Sequence, residues 1–227
     1  MEREVVITAD GSSTIHLPEW DEQYHSKHGA IQEAYHVFIK HGLEHLCHSE
    51  GVSESSKHIS VLEIGFGTGL NAFITLIEAE KLDVNIDYVG VEGYPISSGE
   101  IHQLNYSKQL ENSGKESLFN TLHEVSWEEK HEISNGFSLT KQKKFFSEIT
   151  DRDSFNLIYF DAFGARVQPE LWTEVIFQKM YDALKKNGVL VTYAAKGSVR
   201  RAMQAVGFLV EKLPGPPGKR EMLRATK

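Results

Sequence analysis

The run Val61 to Asn71, VLEIGFGTGLN, constrains this chain more than any other stretch. A β-rich segment ends at Glu63-Ile64, glycines follow at 65, 67 and 69, and a helical pattern begins at Leu70. Glycine has no Cβ, so the backbone there can turn tightly and come close to a ligand, while the first turn of the next helix offers N–H groups without internal partners. A dinucleotide fold would receive pyrophosphate through G-x-G-x-x-G, but here the third glycine falls at 69 and Leu70 stands in the later slot.

Around this turn, apolar runs alternate with helical patterns, which predicts a largely parallel sheet. Strands are expected at 59–64, 86–91, 137–141, 155–160, 188–193, 208–213 and 222–225. Helices are expected over 70–81, 97–109 and 169–185; Pro169 opens the last and Asn187-Gly188 ends it as a left-handed cap. The PGPPGKR stretch after Leu213 can continue neither element, so it should turn the chain between the last two strands as an antiparallel pair. The fold class expected is α/β: a seven-stranded, mostly parallel Rossmann-like sheet with its last strand antiparallel. Residues 1–50 read as a hairpin, a loop and a helix over 30–47, an appendage covering the cleft of a main domain at 51–227.

The chain has a single cysteine, Cys47, so no intrachain disulfide can form. The N-terminus is charged where a secretory segment would be apolar, and nowhere do about eighteen apolar residues run together. These features lead us to expect a soluble, cytoplasmic protein with no membrane association; no obligate protein partner is evident. The net charge of −8 disfavours a polyanionic partner at first sight. Its distribution reverses that: residues 1–160 hold 12 Lys+Arg against 26 Asp+Glu, whereas 161–227 hold 12 against 6. Lys179, Lys185 and Lys186 fit the solvated side of a helix, but Lys196, Arg200, Arg201, Lys219, Arg220 and Arg224 cluster around expected loops.

Two further strand ends carry acids. The segment IDYVGVEGYP ends at Glu92, 27 residues beyond Gly65, where an ionised carboxylate can accept two hydroxyl hydrogen bonds from a ribose. The bland alternative is a cap for the helix starting near Ser97. Gly93 and Tyr94 follow, with Tyr94 and Pro95 placed to shape an adenine pocket. The segment FNLIYFDAFGARVQPELW ends its strand pattern at Asp161, and reactive groups of open α/β sheets collect beyond such ends. Asp161 is therefore the catalytic candidate, and Phe163 sits where a base can stack. Simple turn capping is the competing account of Asp161.

The G-x-G-x-G form with its preceding acid resembles the cofactor loop of class I methyltransferases. Together, DEQYHSKHGAIQEAYHVFI, VLEIGFGTGLN, VEGYP, FDAFGARVQPELW, KGSVRRAM and GPPGKREML make nearly the whole chain resemble the tRNA 5-aminomethyl-2-thiouridine methyltransferase family. The likeness is to the methyltransferase half of the bifunctional wobble-uridine enzyme and to its standalone relatives; the flavin-dependent oxidase half has no counterpart in these residues. It implies S-adenosyl-L-methionine as cofactor, the tRNA anticodon loop as substrate, and methylation of the aminomethyl nitrogen of a wobble uridine. By the same resemblance, Glu63, Gly65, Phe66, Gly67, Thr68, Gly69, Asn71, Glu92, Gly93, Tyr94 and Asp161 would hold the cofactor. Tyr24, His25, Ser26, Gly29 and Glu33 would form a flap over it. Phe163, Gly164 and Arg166 would line the path of a flipped uridine. Lys196, Arg200, Arg201, Lys219 and Arg220 would meet the RNA, mostly at phosphates. One departure stands out: Lys143-Lys144 occupies the place of the Gly-Asp that contacts adenine in related sequences. Residues 112–136 read as no element.

The chemistry requires an alkylammonium to lose a proton before its nitrogen can displace the sulfonium methyl. With an ordinary carboxyl pKa, Asp161 is expected to position the amine more than to deprotonate it. His41, His45 and His48 fall at helical spacing beside Cys47, but no second ligand cluster follows, so no metal is expected. Two other functions fit parts of the pattern. A small-molecule amine methyltransferase would share the cofactor site without needing the basic C-terminal patch, and a non-catalytic RNA-binding module would not need Glu63, Glu92 and Asp161.

Overall fold

The computed structural model describes residues 2–48, 58–110 and 115–227. Three short strands, β1 (Glu4–Ile7), β2 (Ser13–Leu17) and β3 (Glu22–Gln23), form a small antiparallel sheet at the N-terminus. The main sheet has eight strands: β4 (His58–Ile64), β5 (Asn85–Val91), β6 (Lys130–Ser134), β7 (Phe137–Gln142), β8 (Phe155–Phe160), β9 (Leu184–Thr192), β10 (Leu209–Pro214) and β11 (Glu221–Thr226). They lie in the order β10-β11-β9-β8-β4-β5-β7-β6. Pairs within β9-β8-β4-β5-β7 are parallel. β11 runs antiparallel to β9, and β10 and β11 form the hairpin expected around PGPPGKR.

The chain runs from β4 to β5 and β7 on one side before returning to start β8 on the other, so the sheet's switch point lies between β4 and β8. Loops leaving two such neighbours diverge and open a crevice at their carboxyl ends. Gly65 and Asp161 are the first residues past those ends.

Each face of the sheet carries its own apolar cluster. On one side pack the helices Glu174–Ala183 and Gly197–Ala205, with the Phe160 ring meeting Trp172 edge-on and Phe177 at a tilt. The other side holds the helix Leu70–Leu82, which is buried from Leu70 through Ala79 because it lies between the sheet and the N-terminal helix. That N-terminal helix runs through Ala30–Ala34, a widened π-helical stretch Tyr35–Leu43, and Glu44–His48. It sits directly on β8 and β9, with Phe38 at 5.0 Å from Tyr159. A Cβ on Gly42 would come within 3.1 Å of Val191, so the glycine sets how closely the helix approaches. Truncating a ring as buried as Phe38 typically costs about 3–5 kcal/mol. The helix thus shares the main core. The 50/51 boundary expected from the sequence lies outside the described residues.

Several expectations need correction. The sheet has an eighth strand, β6, whose sequence KHEIS offers only one apolar residue; as an edge strand it needs little more, and its charges suit an edge. The helix expected over 97–109 is two short helices, Ser98–Ile101 and Tyr106–Gln109. Asn105 breaks it by bonding outward: its Oδ1 accepts from Ser13 N and its Nδ2 donates to Gly11 O. The helix expected over 169–185 is a 3-10 turn, Pro169–Trp172, then extended Thr173 and a helix ending at Ala183. Asn187 is left-handed (φ 63°) but lies within β9, near the register irregularity against β8, not at a helix end. Among the described residues, no helix is long and apolar enough to cross a membrane.

Candidate active site at the carboxyl ends of the central strands

Gly65, Gly67 and Gly69 all have positive φ (91°, 48° and 72°), a region that residues with a Cβ seldom adopt. Gly65 has a second reason to be glycine: a Cβ there would stand 2.8 Å from the carbonyl oxygen of Asp161. The loop is pinned to β5 by Gly65 N and Phe66 N, which both donate to Val91 O at 3.0 Å. Phe66 turns inward, filling the space left by Gly90 and meeting His123 and Trp127. Gly69 begins the helix and Thr68 is buried beneath it, bonded by the hydroxyl of Tyr106 at 3.1 Å.

Glu92 does not cap the next helix. Ser97 does that, in a reciprocal pairing with Glu100. Glu92 instead accepts from Gly67 N at 3.0 Å and Tyr94 N at 2.8 Å, one bond to each carboxylate oxygen. A carboxylate has about four acceptor sites, so two remain for a diol. Beyond it, Tyr94 and Phe145 form an exposed edge-on aromatic pair with centroids 5.8 Å apart, and Gly93 lies against the Phe145 ring.

The acids at the crevice converge on one amide. Asn71, in the first turn of the helix Leu70–Leu82, donates through Nδ2 to Glu63 Oε1 at 2.9 Å and to Asp161 Oδ2 at 2.8 Å. Its own Oδ1 is buried and accepts no hydrogen bond among the described residues. Glu63 is fully buried, and burial pushes its carboxyl well above the ordinary range, Asn71 opposing and Asp161 adding. Desolvation also pushes Asp161 up to about 7; the nearby Glu33 carboxylate adds to this, while Asn71 and Lys219 oppose it. The ordinary pKa expected for Asp161 is therefore corrected, because its strand end is enclosed.

The N-terminal segment lies over this crevice. The Tyr24 ring rests on Gly67, whose Cβ would be 3.1 Å from it, and meets Phe163 edge-on at 5.0 Å. Trp20 meets the same Phe163 at 5.7 Å. His25 is buried between Thr14 and Thr68, and burial lowers it to about 4, so its ring is neutral at physiological pH. Gly29 allows close packing on Asp10. Glu33 is buried; its Oε1 accepts from Ser26 N at 3.0 Å and its Oε2 pairs with Lys219.

Two basic residues are not where the sequence put them. Arg166 turns back to Trp20 O, Asp21 O and the Glu22 carboxylate, tying the loop after β8 to the N-terminal sheet. Lys219 points inward to Glu33, with its Nζ 3.8 Å from the centroid of the Tyr193 ring, and is not presented to phosphates. Lys196, Arg200, Arg201 and Arg220 make no salt bridge among the described residues. Gly164 borders the crevice; a Cβ there would lie 3.7 Å from the Tyr193 hydroxyl.

Sequence reasoning missed Tyr193, Phe145 and Lys141. Lys141 is buried, donates to His123 O at 2.6 Å and lies over the Trp127 ring; burial lowers it to about 8. Its signal was legible, since Phe137, Leu139 and Lys141 alternate on the buried side of β7. His41 packs edge-on to His36, His48 bonds Glu44 O, and among the described residues no three His, Cys, Asp or Glu side chains gather as metal ligands.

These residues fit a ligand carrying a diol and an ammonium. Glu92 keeps acceptor capacity at a glycine turn, and the buried Asn71 Oδ1, between two acids, has no donor among the described residues.

The profile of a family described as S-adenosyl-L-methionine-dependent methyltransferases matches residues 120–227. The chain is 28% identical to a tRNA 5-methylaminomethyl-2-thiouridine biosynthesis bifunctional protein MnmC of Cupriavidus metallidurans, over 96% of this chain and 33% of that protein. The corresponding protein of Leptospira borgpetersenii is 29% identical over 90% of this chain and 32% of its own length. The chain thus spans about a third of the curated relatives it matches. Among solved structures, MnmC2 from Aquifex aeolicus superposes with a TM-score of 0.77 at 24% identity, covering 99% of this chain and 69% of that one.

Proposed function

We propose that this chain is an S-adenosyl-L-methionine-dependent methyltransferase, as the family matching residues 120–227 is described, and that it methylates the aminomethyl nitrogen of a 5-aminomethyl-(2-thio)uridine at the tRNA wobble position. The observation that carries the reading is the placement of Asp161. It stands at the switch point beside the glycine loop, enclosed enough to be raised to about 7, and an acid with a pKa near the working pH is matched to handling the proton of an amine.

S-adenosyl-L-methionine, when bound, supplies an electrophilic methyl on a sulfonium. Glu92 would accept its ribose hydroxyls, and Gly65 and Gly67 would let the backbone lie against it. Asn71 Oδ1 and Glu63 would receive its ammonium, and Tyr94 with Phe145 would border the adenine, in place of the absent Gly-Asp. Tyr24, Ser26 and Glu33 would close over it from the N-terminal segment.

For the transfer itself, the incoming alkylammonium must release a proton, because its lone pair is otherwise occupied. Asp161 would take that proton at a carboxylate oxygen while holding the nitrogen in line with the methyl. Phe163 and Gly164 would border the flipped base. Lys196, Arg200, Arg201 and Arg220, which make no salt bridge among the described residues, would meet phosphates.

The test is label transfer from methyl-labelled donor to two acceptors, tRNA from cells lacking this activity and a free alkylamine such as n-butylamine. Label in the tRNA, with weak turnover of the free amine, is the expected result. Label in the amine alone would make the chain a small-amine methyltransferase, and failure to bind the donor would make it a non-catalytic module.

A further inference from the structure

Lys219 is the one basic side chain of the C-terminal hairpin turn that points inward. It reaches Glu33, far away in sequence, and places its Nζ over the Tyr193 ring, 3.8 Å from the centroid. A carboxylate on one side and an aromatic face on the other is the arrangement by which proteins hold ammonium groups. The surroundings are built for that cation. Ser26 N occupies Glu33 Oε1, leaving Oε2 for the ammonium. The Tyr193 hydroxyl donates to Ala162 O at 2.8 Å, which fixes the ring one residue from Asp161. Asp161 itself senses the charges of both Glu33 and Lys219. The lysine side chain is 30% exposed against 6% for Glu33, so the site opens outward along the lysine stem. Gly164, with no side chain, leaves room at its rim.

We infer that Glu33 and the Tyr193 ring, which is anchored beside Asp161, form a binding site for a primary alkylammonium, and that Lys219 is its resident occupant, displaced when a substrate amine enters. The inference rests on the reading of the chain as an amine methyltransferase. A lysine side chain ends in the same CH2–NH3+ group as an aminomethyl substituent, so the site already holds the chemistry it would receive. Displacement preserves its charge balance, since one ammonium replaces another. The released lysine moves toward Arg220, its neighbour in the turn, and adds a positive charge where RNA phosphates would lie.

The experiment uses the full chain, n-butylammonium as probe and n-butanol as neutral control, with binding followed by calorimetry. Lys219→Met should bind n-butylammonium at least ten-fold more tightly than the parent and n-butanol no better. Adding Glu33→Gln or Tyr193→Leu to it should remove the gain. A folded Lys219→Met that binds the amine no better than the parent overturns the inference. Should Lys219→Met not fold, the parent decides by NMR. Its Lys219 ε-methylene protons, assigned by comparison with Lys219→Arg, should sit upfield over the ring and move toward free-lysine positions as n-butylammonium is added. Protons that hold their position at high amine concentration also overturn it. Neither measurement uses tRNA or methyl donor, so this site can fail while tRNA methylation stands, and the reverse.

Discussion

Glu63 and Asp161 share a single amide: Nδ2 of Asn71 donates to both, at 2.9 and 2.8 Å. The two acids come from neighbouring parallel strands, and Asn71 from the helix that the glycine loop starts. Both carboxyls are raised by burial; the charge of Asp161 adds to the rise of Glu63, and the shared Asn71 amide opposes the rise of both. The sheet's switch point thus becomes a place where a proton is easily held near neutral pH and where a cation is welcome.

Replacing Asp161 by Asn keeps the shape and removes the charge. Turnover should fall about 100- to 1,000-fold, while the donor's dissociation constant, measured by calorimetry, changes by less than about three-fold. Equal losses in both would move Asp161 out of the reaction centre.

The same variant tests the electrostatics through stability. Asp161 holds its proton in the folded chain up to about 7, but in the unfolded chain only to the ordinary carboxyl value of 3.8. The folded state therefore binds more protons between those values, and stability falls as pH rises through that window. Asp161→Asn should be more stable than the parent by about 4 kcal/mol at pH 8, and by less than about 1 kcal/mol near pH 4. A gain equal at both pH values would show that the carboxyl is not raised.

Asn71→Ala removes the amide that favours ionisation of both acids. The acid limb of the kcat profile should move to higher pH, by about half a unit or more on the scale of one lost hydrogen bond. An unmoved limb with reduced kcat would assign Asn71 a packing role only.

Gly65→Ala pushes a methyl toward the Asp161 carbonyl, 2.8 Å from the Cβ position, at a φ of 91°. It should cost about 1–3 kcal/mol in denaturant unfolding, and donor binding should weaken with it. Neutral behaviour would mean that the loop is not held as described.

What was legible in the sequence was local. The glycine run, the acids at strand ends and the apolar stretches of β4, β5 and β8 each carry their signal within a few residues. What escaped was made by the fold. The Lys219–Glu33 pair joins residues 186 apart, and nothing near either marks the other. Phe145 becomes an aromatic partner of Tyr94 only because β5 and β7 lie side by side. The raised value of Asp161 follows from enclosure by the N-terminal segment and Glu33, not from its own neighbours. β6 gave no pattern because a polar edge strand needs none.

The basic side chains that make no salt bridge among the described residues give a further check. Arg200→Ala and Arg201→Ala should each weaken tRNA binding and reduce the slope of log K against log salt concentration by about one. A slope unchanged in both would put the phosphates elsewhere.

The most direct measurement is to incubate the protein with methyl-labelled S-adenosyl-L-methionine and tRNA from cells lacking this activity, digest the RNA, and identify the labelled nucleoside by mass spectrometry. The label is expected on 5-methylaminomethyl-(2-thio)uridine, with Asp161→Asn forming almost none. Label on any other nucleoside, or none in the tRNA while the donor is bound, would contradict it.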